Sequence, residues 1–444
     1  MSPTGTLRAA LEQRVATVCD ATGAGRSGDG PGDLHRLLTT GVAGEQGDDV
    51  PWLVTAAVLG RLPDEQEVRA LRRVLDVVGP AAAAQGLLAQ ALAHPGPGLL
   101  RGIEVFSGGV LVLAQPEGTD ELALLLRGVL PHWRTRHQVV EVALSDDGGL
   151  LSRAPGAAGA TVPPVLVPWR ATLVVIGEGW SRAQCGRLAT LAQLSGSRVV
   201  VVPPDQLPAA APETVAPDRT AGFGHLLSLI KHADAVVALT AGTARGYRGF
   251  AQSLGAQGLP GPQVTTVPGA PGLPVPVVRA AAGGSVTLAV LGDDPVSTAT
   301  VREAARTLRD RGPKTDVVLL DVAAVPGPAI ADGADAGHRA PVAHVVVALG
   351  PGGIGLLLGA ALRQGVPAVV TARGVPAEVA RDGGCLLVDP DDDDAVVRAI
   401  ESLLTDTDRH RSLAAEAARR PGTPWDRMAT DLWHAVVGNR EVGR

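Results

Sequence analysis

Short runs of β-branched and aliphatic residues alternate with helical stretches between about residue 99 and residue 422. The first half contains VLVLA (110–114), VVEVAL (139–144), TLVVIG (172–177), RVVVV (198–202), AVVAL (235–239) and QVTTVP (263–268). The second half repeats the pattern with VTLAVLG, TDVVLLD, AHVVVAL, PAVVTA and GCLLVD. Such alternation is typical of parallel sheets with helices on both faces. The sequence therefore predicts an α/β fold with two Rossmann-like domains, 99–275 and 276–422, that face a cleft.

Residues 1–98 follow a different pattern, with apolar residues at three- and four-residue spacing. Within this region GRLPDEQEV carries a helix-start signal, a proline followed by acidic residues. No motif here points to chemistry. We expect a small all-helical domain before the two Rossmann-like domains.

The composition allows large buried cores and excludes several classes of function. The 444-residue chain is 45% hydrophobic, and its formal net charge is -6. Without a long basic block, nucleic acid is not expected as a main partner. Cys19, Cys185 and Cys385 are far apart and lack CxxC or Cys–His ligand spacing, which predicts neither a disulfide framework nor a zinc site. A cytoplasmic protein fits this pattern.

The apolar segment 342–362 has the length of a membrane span. A proline and three glycines at 350–353 fall near its middle, where a spanning helix needs unbroken hydrogen bonds. The N-terminus has charges where a signal peptide would have its apolar region. The sequence therefore predicts a strand, a loop and a helix at 342–362, and no integral membrane segment.

The loop GPGGIG (350–355) allows two interpretations. Successive backbone N–H groups at a helix N-terminus attract an anion without help from any side chain. Alternatively, the glycines only permit a tight turn from strand to helix. The candidate donor-binding residues are Gly352, Gly353, Ile354, Gly355 and, after a strand of the first domain, Asp205.

The second half resembles a known family in a continuous run of motifs. GGIGLLLGAALRQGVPAVV (352–370), followed by GVPAEVARDGGCLLVDPDDDD (374–394), resembles the EGFGLPxxEAMACGxPVV, LPEVV and GGLLVDPxD motifs of family 4 glycosyltransferases. In the first half, 199–213 and 225–247 resemble further segments of that family. The resemblance covers about 105–437 and implies the GT-B architecture with a nucleotide-sugar donor in the cleft.

Two terminal segments extend the resemblance. PWDRMATDLWHAVV (424–437) resembles the family's closing helix, so we expect 423–444 to cross back to the first domain. AAVLGRLPDEQEVRALRRVL resembles a helical module, marked by LGRxPD, that is often appended to bacterial glycosyltransferases. The alternative is a plain helical packing domain.

The departures from the family pattern concern the donor site. Active relatives have two loop glutamates that hold the donor's sugar and ribose, and Gly352 and Ala360 occupy these positions here. Neither residue offers a side-chain acceptor for a hydroxyl group. In the first domain the family motif TGIQRVVR corresponds to EGTDELALLL (117–126), which keeps Gly118 and lacks the arginine.

The cationic pair of active relatives is also missing. An Arg and a Lys normally neutralise the departing diphosphate. That place reads LGDDPVSTATV (291–301) here, so Asp293 and Asp294 reverse the sign of the charge. Lys314 comes after the following helix, and Arg302 lies within it.

Other polar candidates have simpler interpretations. Asp205 either orients an acceptor hydroxyl, acts as a weak base or caps its own loop. His225 and His232 lie seven apart on one helix, where packing or surface roles are favoured, and Thr240 and Thr243 are expected to cap a helix. DPDDDDA (389–395) lacks the glycine and glutamate of an EF-hand loop, so no metal site is predicted.

Two hypotheses of function remain. In the first, the chain is a degenerate glycosyltransferase homologue, a pseudoenzyme that serves as a partner or regulatory subunit of an active glycosyltransferase. In the second, it is an active retaining glycosyltransferase that moves a sugar from a nucleotide donor to a glycan, lipid or protein. No cofactor is predicted, catalytic residues are not identified, and a homo-oligomer is a further possible assembly.

Overall fold

The computed structural model describes residues 3–26, 29–40, 49–96, 100–114, 121–153, 163–268, 286–291, 295–311, 317–321 and 343–438. Its N-terminal part is helical, as predicted. The helices are α1 (Pro3–Thr22), α2 (Gly30–Thr40), α3 (Val50–Leu59), α4 (Glu65–Val77) and α5 (Pro80–Ala93). They pack around an apolar core that includes Trp52 and Leu53 and continues into the sheet that follows.

The LGRLPD motif joins this helical region to the rest of the chain. Gly60 ends α3 in a left-handed conformation (φ 67°), and a Cβ atom there would collide with the Arg14 guanidinium. Arg14 is buried and donates hydrogen bonds to the carbonyls of Ala57, Val58 and Arg101. Arg14 of α1 thus ties the end of α3, where the motif begins, to the chain segment that enters the first sheet.

The first sheet contains nine described strands. They are β1 (Ile103–Phe106), β2 (Val110–Ala114), β3 (Val139–Leu144), β4 (Leu150–Ser152), β5 (Val165–Pro168), β6 (Thr172–Ile176), β7 (Arg198–Val202), β8 (Ala235–Ala238) and β9 (Gln263–Thr266), in the order β1-β5-β4-β3-β2-β6-β7-β8-β9. The accompanying helices are α6 (Glu121–Arg136), α7 (Arg182–Leu194), α8 (Leu207–Ala210), α9 (Pro217–Ile230) and α10 (Ala241–Gly255).

This sheet is mixed, whereas the sequence pattern predicted a parallel one. β4 pairs antiparallel with both β3 and β5, while the other pairings are parallel. The reason is the tight turn after β3, in which Ser145 N–H bonds Gly149 O at 2.9 Å. A turn of this length can only reverse the chain, because a parallel connection needs a crossover of a dozen or more residues.

The second sheet is parallel throughout its described strands. They are β10 (Val286–Val290), β11 (Val317–Asp321), β12 (Val345–Ala348), β13 (Ala368–Thr371) and β14 (Cys385–Val388), in the order β11-β10-β12-β13-β14. The helices are α11 (Pro295–Arg311), α12 (Leu356–Arg363), α13 (Gly374–Ala380), α14 (Asp393–Thr405), α15 (Thr407–Ala418) and α16 (Trp425–Val437). Segment 342–362 contains β12, a loop and all of α12 except its last residue, so the predicted strand, loop and helix are present. Among the described helices, none is both long and apolar enough to cross a membrane.

The last helix returns to the first sheet. α16 packs on α6, and the buried indole N–H of Trp133 donates to Ala429 O at 2.8 Å. Trp433 lies edge-on to Trp133, with ring centroids 5.5 Å apart, and stacks on His137 at 3.7 Å. The predicted fold class, two Rossmann-like units after a helical region, is confirmed. The domain boundaries stay predictions.

Candidate functional site

The glycine-rich loop connects β12 to α12. Gly353 and Gly355 have φ angles of 93° and 73°, the left-handed region that glycine adopts most readily. A Cβ atom on Gly355 would lie 2.7 Å from Val379 Cγ2 on α13. Both glycines therefore serve the sharp turn, and Gly355 also permits close packing on α13.

The backbone N–H groups of this loop are already occupied by a carboxylate from the first Rossmann-like unit. Glu121, the first residue of α6, accepts hydrogen bonds from Ile354 N (2.6 Å) and Gly355 N (3.1 Å) through Oε2, and from Leu357 N (2.8 Å) through Oε1. Burial raises the pKa of Glu121, and these N–H groups oppose that rise by stabilising the ionised form. The N-terminus of α12 thus holds an internal anion.

Asp205 supplies a second carboxylate at the same loop. It is 5% exposed and follows β7. Its Oδ1 accepts from Leu207 N at 2.7 Å, and its Oδ2 accepts from Gly353 N. The Leu207 contact agrees with the loop-capping alternative, and the Gly353 contact is one that the sequence did not indicate.

A third carboxylate crosses between the units in the opposite direction. Glu378 on α13 accepts hydrogen bonds from Ala241 N (2.7 Å) and Gly242 N (2.8 Å), the first residues of α10. Thr240 caps α10 as predicted, because its hydroxyl accepts from Thr243 N at 3.1 Å. The N-terminus of α10 is therefore capped both by Thr240 of its own unit and by Glu378 of the other unit.

The two positions at which the resemblance predicts glutamates are closely packed. A Cβ atom on Gly352 would lie 3.0 Å from Asp205 Oδ2 and 3.1 Å from Leu207 Cδ2. Ala360 is 1% exposed and belongs, with Leu356, to an apolar cluster that also contains Leu125 and Val129 of α6. At this point of the cleft α12 packs directly on the first unit.

The structure brings together Asp205 and the loop residues Gly352, Gly353, Ile354 and Gly355; their donor-binding role stays a prediction. Arg302 lies exposed on α11, whereas Asp293, Asp294, Lys314 and Gly118 lie outside the described residues. His225 and His232 are half-buried on α9 and just after it. Within the described ranges, no group of three or more His, Cys, Asp or Glu side chains could hold a metal ion.

Glu121 and Glu378 were missed by the sequence interpretation. Both lie in segments that the family resemblance had aligned, 117–126 and 374–394. Their partners are 233 to 236 and 136 to 137 residues away in the chain. An acidic residue in the first turn of a helix usually interacts with that helix itself, so no local pattern predicted a contact with another one.

A groove of about 1050 Å³ lies elsewhere, between β9 and α16. Its lining includes Arg198, Gln263, Thr266, Arg427 and His434. The lining of this groove contains no residue of the glycine loop, nor Glu121, Asp205 or Glu378. We place the candidate site at the glycine loop, because that is where hydrogen-bond donors converge at the carboxyl ends of parallel strands.

Two α/β units that meet at strand carboxyl ends, with a glycine loop opening a helix, define a glycosyltransferase-like fold of GT-B type. Residues 343–420 match the protein-family model described as glycosyl transferases group 1. The resemblance to GT-B glycosyltransferases is thereby confirmed; the family 4 subtype and the identity of the helical module stay predictions. No curated protein matches this chain in sequence.

Solved structures also resemble the chain at low identity. Sucrose-phosphate synthase from Thermosynechococcus elongatus is 12% identical, with 73% of this chain and 98% of that chain covered and a TM-score of 0.48. An alpha,alpha-trehalose-phosphate synthase (UDP-forming) from Burkholderia vietnamiensis is 11% identical, with 76% and 98% covered and a TM-score of 0.48.

Proposed function

We propose that this chain is a glycosyltransferase-like protein that does not turn over a nucleotide sugar and acts as a partner or regulatory subunit of an active glycosyltransferase. The observation that carries the proposal is the Glu121 carboxylate on the N–H groups of Ile354, Gly355 and Leu357. A donor diphosphate would need those N–H groups. It would have to displace a carboxylate that is already bonded through both oxygens.

The packing around the loop supports the same proposal. Adding a glutamate at Gly352 would bring two carboxylates together, and Ala360 lies in an apolar contact with α6. Like charges a few ångströms apart raise the cost of ionisation, and an unpaired buried charge is strongly unfavourable. The positions at which the resemblance predicts donor-binding groups are thus packed against the first unit, which supports the proposal.

Calorimetric titration of the full chain tests the first half of the proposal. The ligands are UDP, GDP, ADP and dTDP with their common sugar conjugates. We expect no heat of binding at micromolar to millimolar ligand, with the protein folded throughout. Micromolar binding of any one of them would favour the alternative, an active retaining glycosyltransferase, and transfer assays with that donor would follow.

The partner role needs a separate experiment. A glycosyltransferase encoded beside this chain would be assayed for sugar transfer alone and with this chain added. We expect a change in its kcat, its KM or its yield of folded protein. The same amount of unfolded chain serves as the control for nonspecific effects. No change in any of the three quantities would contradict a regulatory role towards that enzyme.

A further inference from the structure

Two helix N-termini in different Rossmann-like units exchange carboxylates. α6 of the first unit supplies Glu121 to the N-terminus of α12, and α13 of the second unit supplies Glu378 to the N-terminus of α10. We propose that Glu121 and Glu378 form a reciprocal latch, whose two ends open and close together and hold the units in their closed arrangement. The inference concerns how the units are held and does not depend on whether the chain binds a donor.

The Glu121 end satisfies N–H groups at the end of the glycine loop and in the first turn of α12, which have no partner within that helix. The first N–H groups of a helix lack intrahelical acceptors, and the helix dipole adds partial positive charge there. Gly355, the N-cap residue of α12, has no side chain to accept them. Withdrawing Glu121 would leave these donors without the acceptor that the first unit provides.

The Glu378 end is arranged in the same way. Oε1 accepts from Ala241 N and Oε2 accepts from Gly242 N, so each oxygen serves one donor. A Cβ atom on Gly242 would lie 3.1 Å from Oε2, so glycine allows this close approach. The Thr240 hydroxyl accepts the hydrogen bond of Thr243 N–H. The three N–H groups at this helix end therefore have acceptors from both units.

The two ends are mechanically connected within each unit. In the second unit, Val375 N–H of α13 bonds Pro351 O of the glycine loop at 3.0 Å, and a Cβ atom on Gly374 would collide with that same carbonyl. From the first unit, the buried Tyr247 of α10 donates its hydroxyl to Pro204 O at 3.3 Å. The neighbouring Asp205 accepts the N–H of Gly353, so this contact links α10 to the glycine loop that Glu121 binds. Because packed elements of this kind move as bodies, separation at one end displaces the other.

Hydrogen exchange on the full chain tests this coupling, with E121Q and E378Q as variants and E104Q as the matched control. Glu104 is an exposed glutamate on β1. In the wild type, the amides of residues 241, 242, 354, 355 and 357 should be protected. We expect each variant to speed exchange at its own end by about tenfold or more, and also to speed exchange at the opposite end by about threefold or more. E104Q should change neither end.

Coupling between the ends is the decisive result. Faster exchange only at residues 354, 355 and 357 in E121Q, or only at 241 and 242 in E378Q, would show two independent caps and overturn the latch. If E121Q does not fold, E378Q alone still tests the inference, because Glu378 is only half-buried and its effect is read at residues 354–357. An increase in the radius of gyration by small-angle scattering in E378Q would support opening of the units; an unchanged exchange pattern at both ends would contradict it.

Discussion

A Cβ atom on Gly352 would lie 3.0 Å from the Oδ2 atom of Asp205, which belongs to the other Rossmann-like unit. The same Oδ2 accepts the N–H of Gly353. The position where the resemblance predicts a donor-binding glutamate therefore faces a carboxylate of this chain. A glutamate at position 352 would therefore stand directly beside the Asp205 carboxylate.

Restoring that glutamate should not restore donor binding. We expect G352E to lower the free energy of unfolding by about 1–3 kcal/mol, because it places two carboxylates side by side and disturbs the Gly353 bond. Denaturant unfolding measures the change, and titration with UDP-sugars measures binding. G352A is the control for the backbone and the Cβ atom alone. A G352E variant as stable as G352A would show that the cleft opens locally at low cost.

Ala360 tests whether the apolar contact between α12 and α6 is closed. We expect A360E to cost about 3–5 kcal/mol of unfolding free energy, because it buries an unpaired charge within an apolar cluster. A372E, at an exposed alanine of the same unit, should change stability by less than about 0.5 kcal/mol. Equal denaturation midpoints for the two variants would mean that the space around Ala360 is open to solvent.

Gly60 should be far less tolerant of alanine than Gly23. Their φ angles are 67° and 70°, so both substitutions carry the same left-handed strain of about 1–2 kcal/mol. Only Gly60 has the Arg14 guanidinium in the path of the Cβ atom, whereas Gly23 has open space. We expect G60A to lower stability by about 2 kcal/mol more than G23A, since Arg14 must give up buried hydrogen bonds. Thermal unfolding of both variants measures the difference, and equal losses would contradict the steric explanation.

Glu67 should make the helical region sensitive to acid. Burial opposes ionisation, but hydrogen bonds from Arg61 and from the Asp64 N–H, with the charges of Arg61 and Arg187, lower the pKa of Glu67 below its ordinary value of 4.5. A carboxyl group with a lowered pKa contributes stability above its unfolded pKa and loses it as pH falls through the folded value. The wild type should therefore lose stability below pH 4.5, and E67Q should lose less over the same range.

Urea unfolding at a series of pH values from about 6 to about 3 checks this difference. E65Q is the control, because Glu65 lies in the same first turn of α4 and pairs with exposed Arg69. If the free energies of unfolding of wild type and E67Q changed in parallel with pH, Glu67 would have the same pKa in the folded and unfolded chains.

The strands and most helices of both sheets were predictable because their signals are local. Runs such as RVVVV and AVVAL are buried strands, and the caps at Thr240 and Asp64 follow from residues a few positions apart. The antiparallel β4 was not predicted, since its direction depends on the turn at Ser145–Gly149 rather than on its own three residues. The direction of a strand depends on the length of the connection that precedes it. The three residues of β4 carry no signal of that direction.

The amino-acid sequence alone established the α/β architecture and the glycine loop, and its family resemblance predicted that Gly352 and Ala360 stand where donor-binding side chains are expected. Each of these depends on residue types and on neighbours near in the chain. Tertiary structure alone placed Glu121 on α12 and Glu378 on α10, across separations of more than a hundred residues. Any carboxylate can accept a hydrogen bond from any helix N-terminus. Which carboxylate pairs with which helix therefore depends on the packing that brings two particular elements within hydrogen-bond distance.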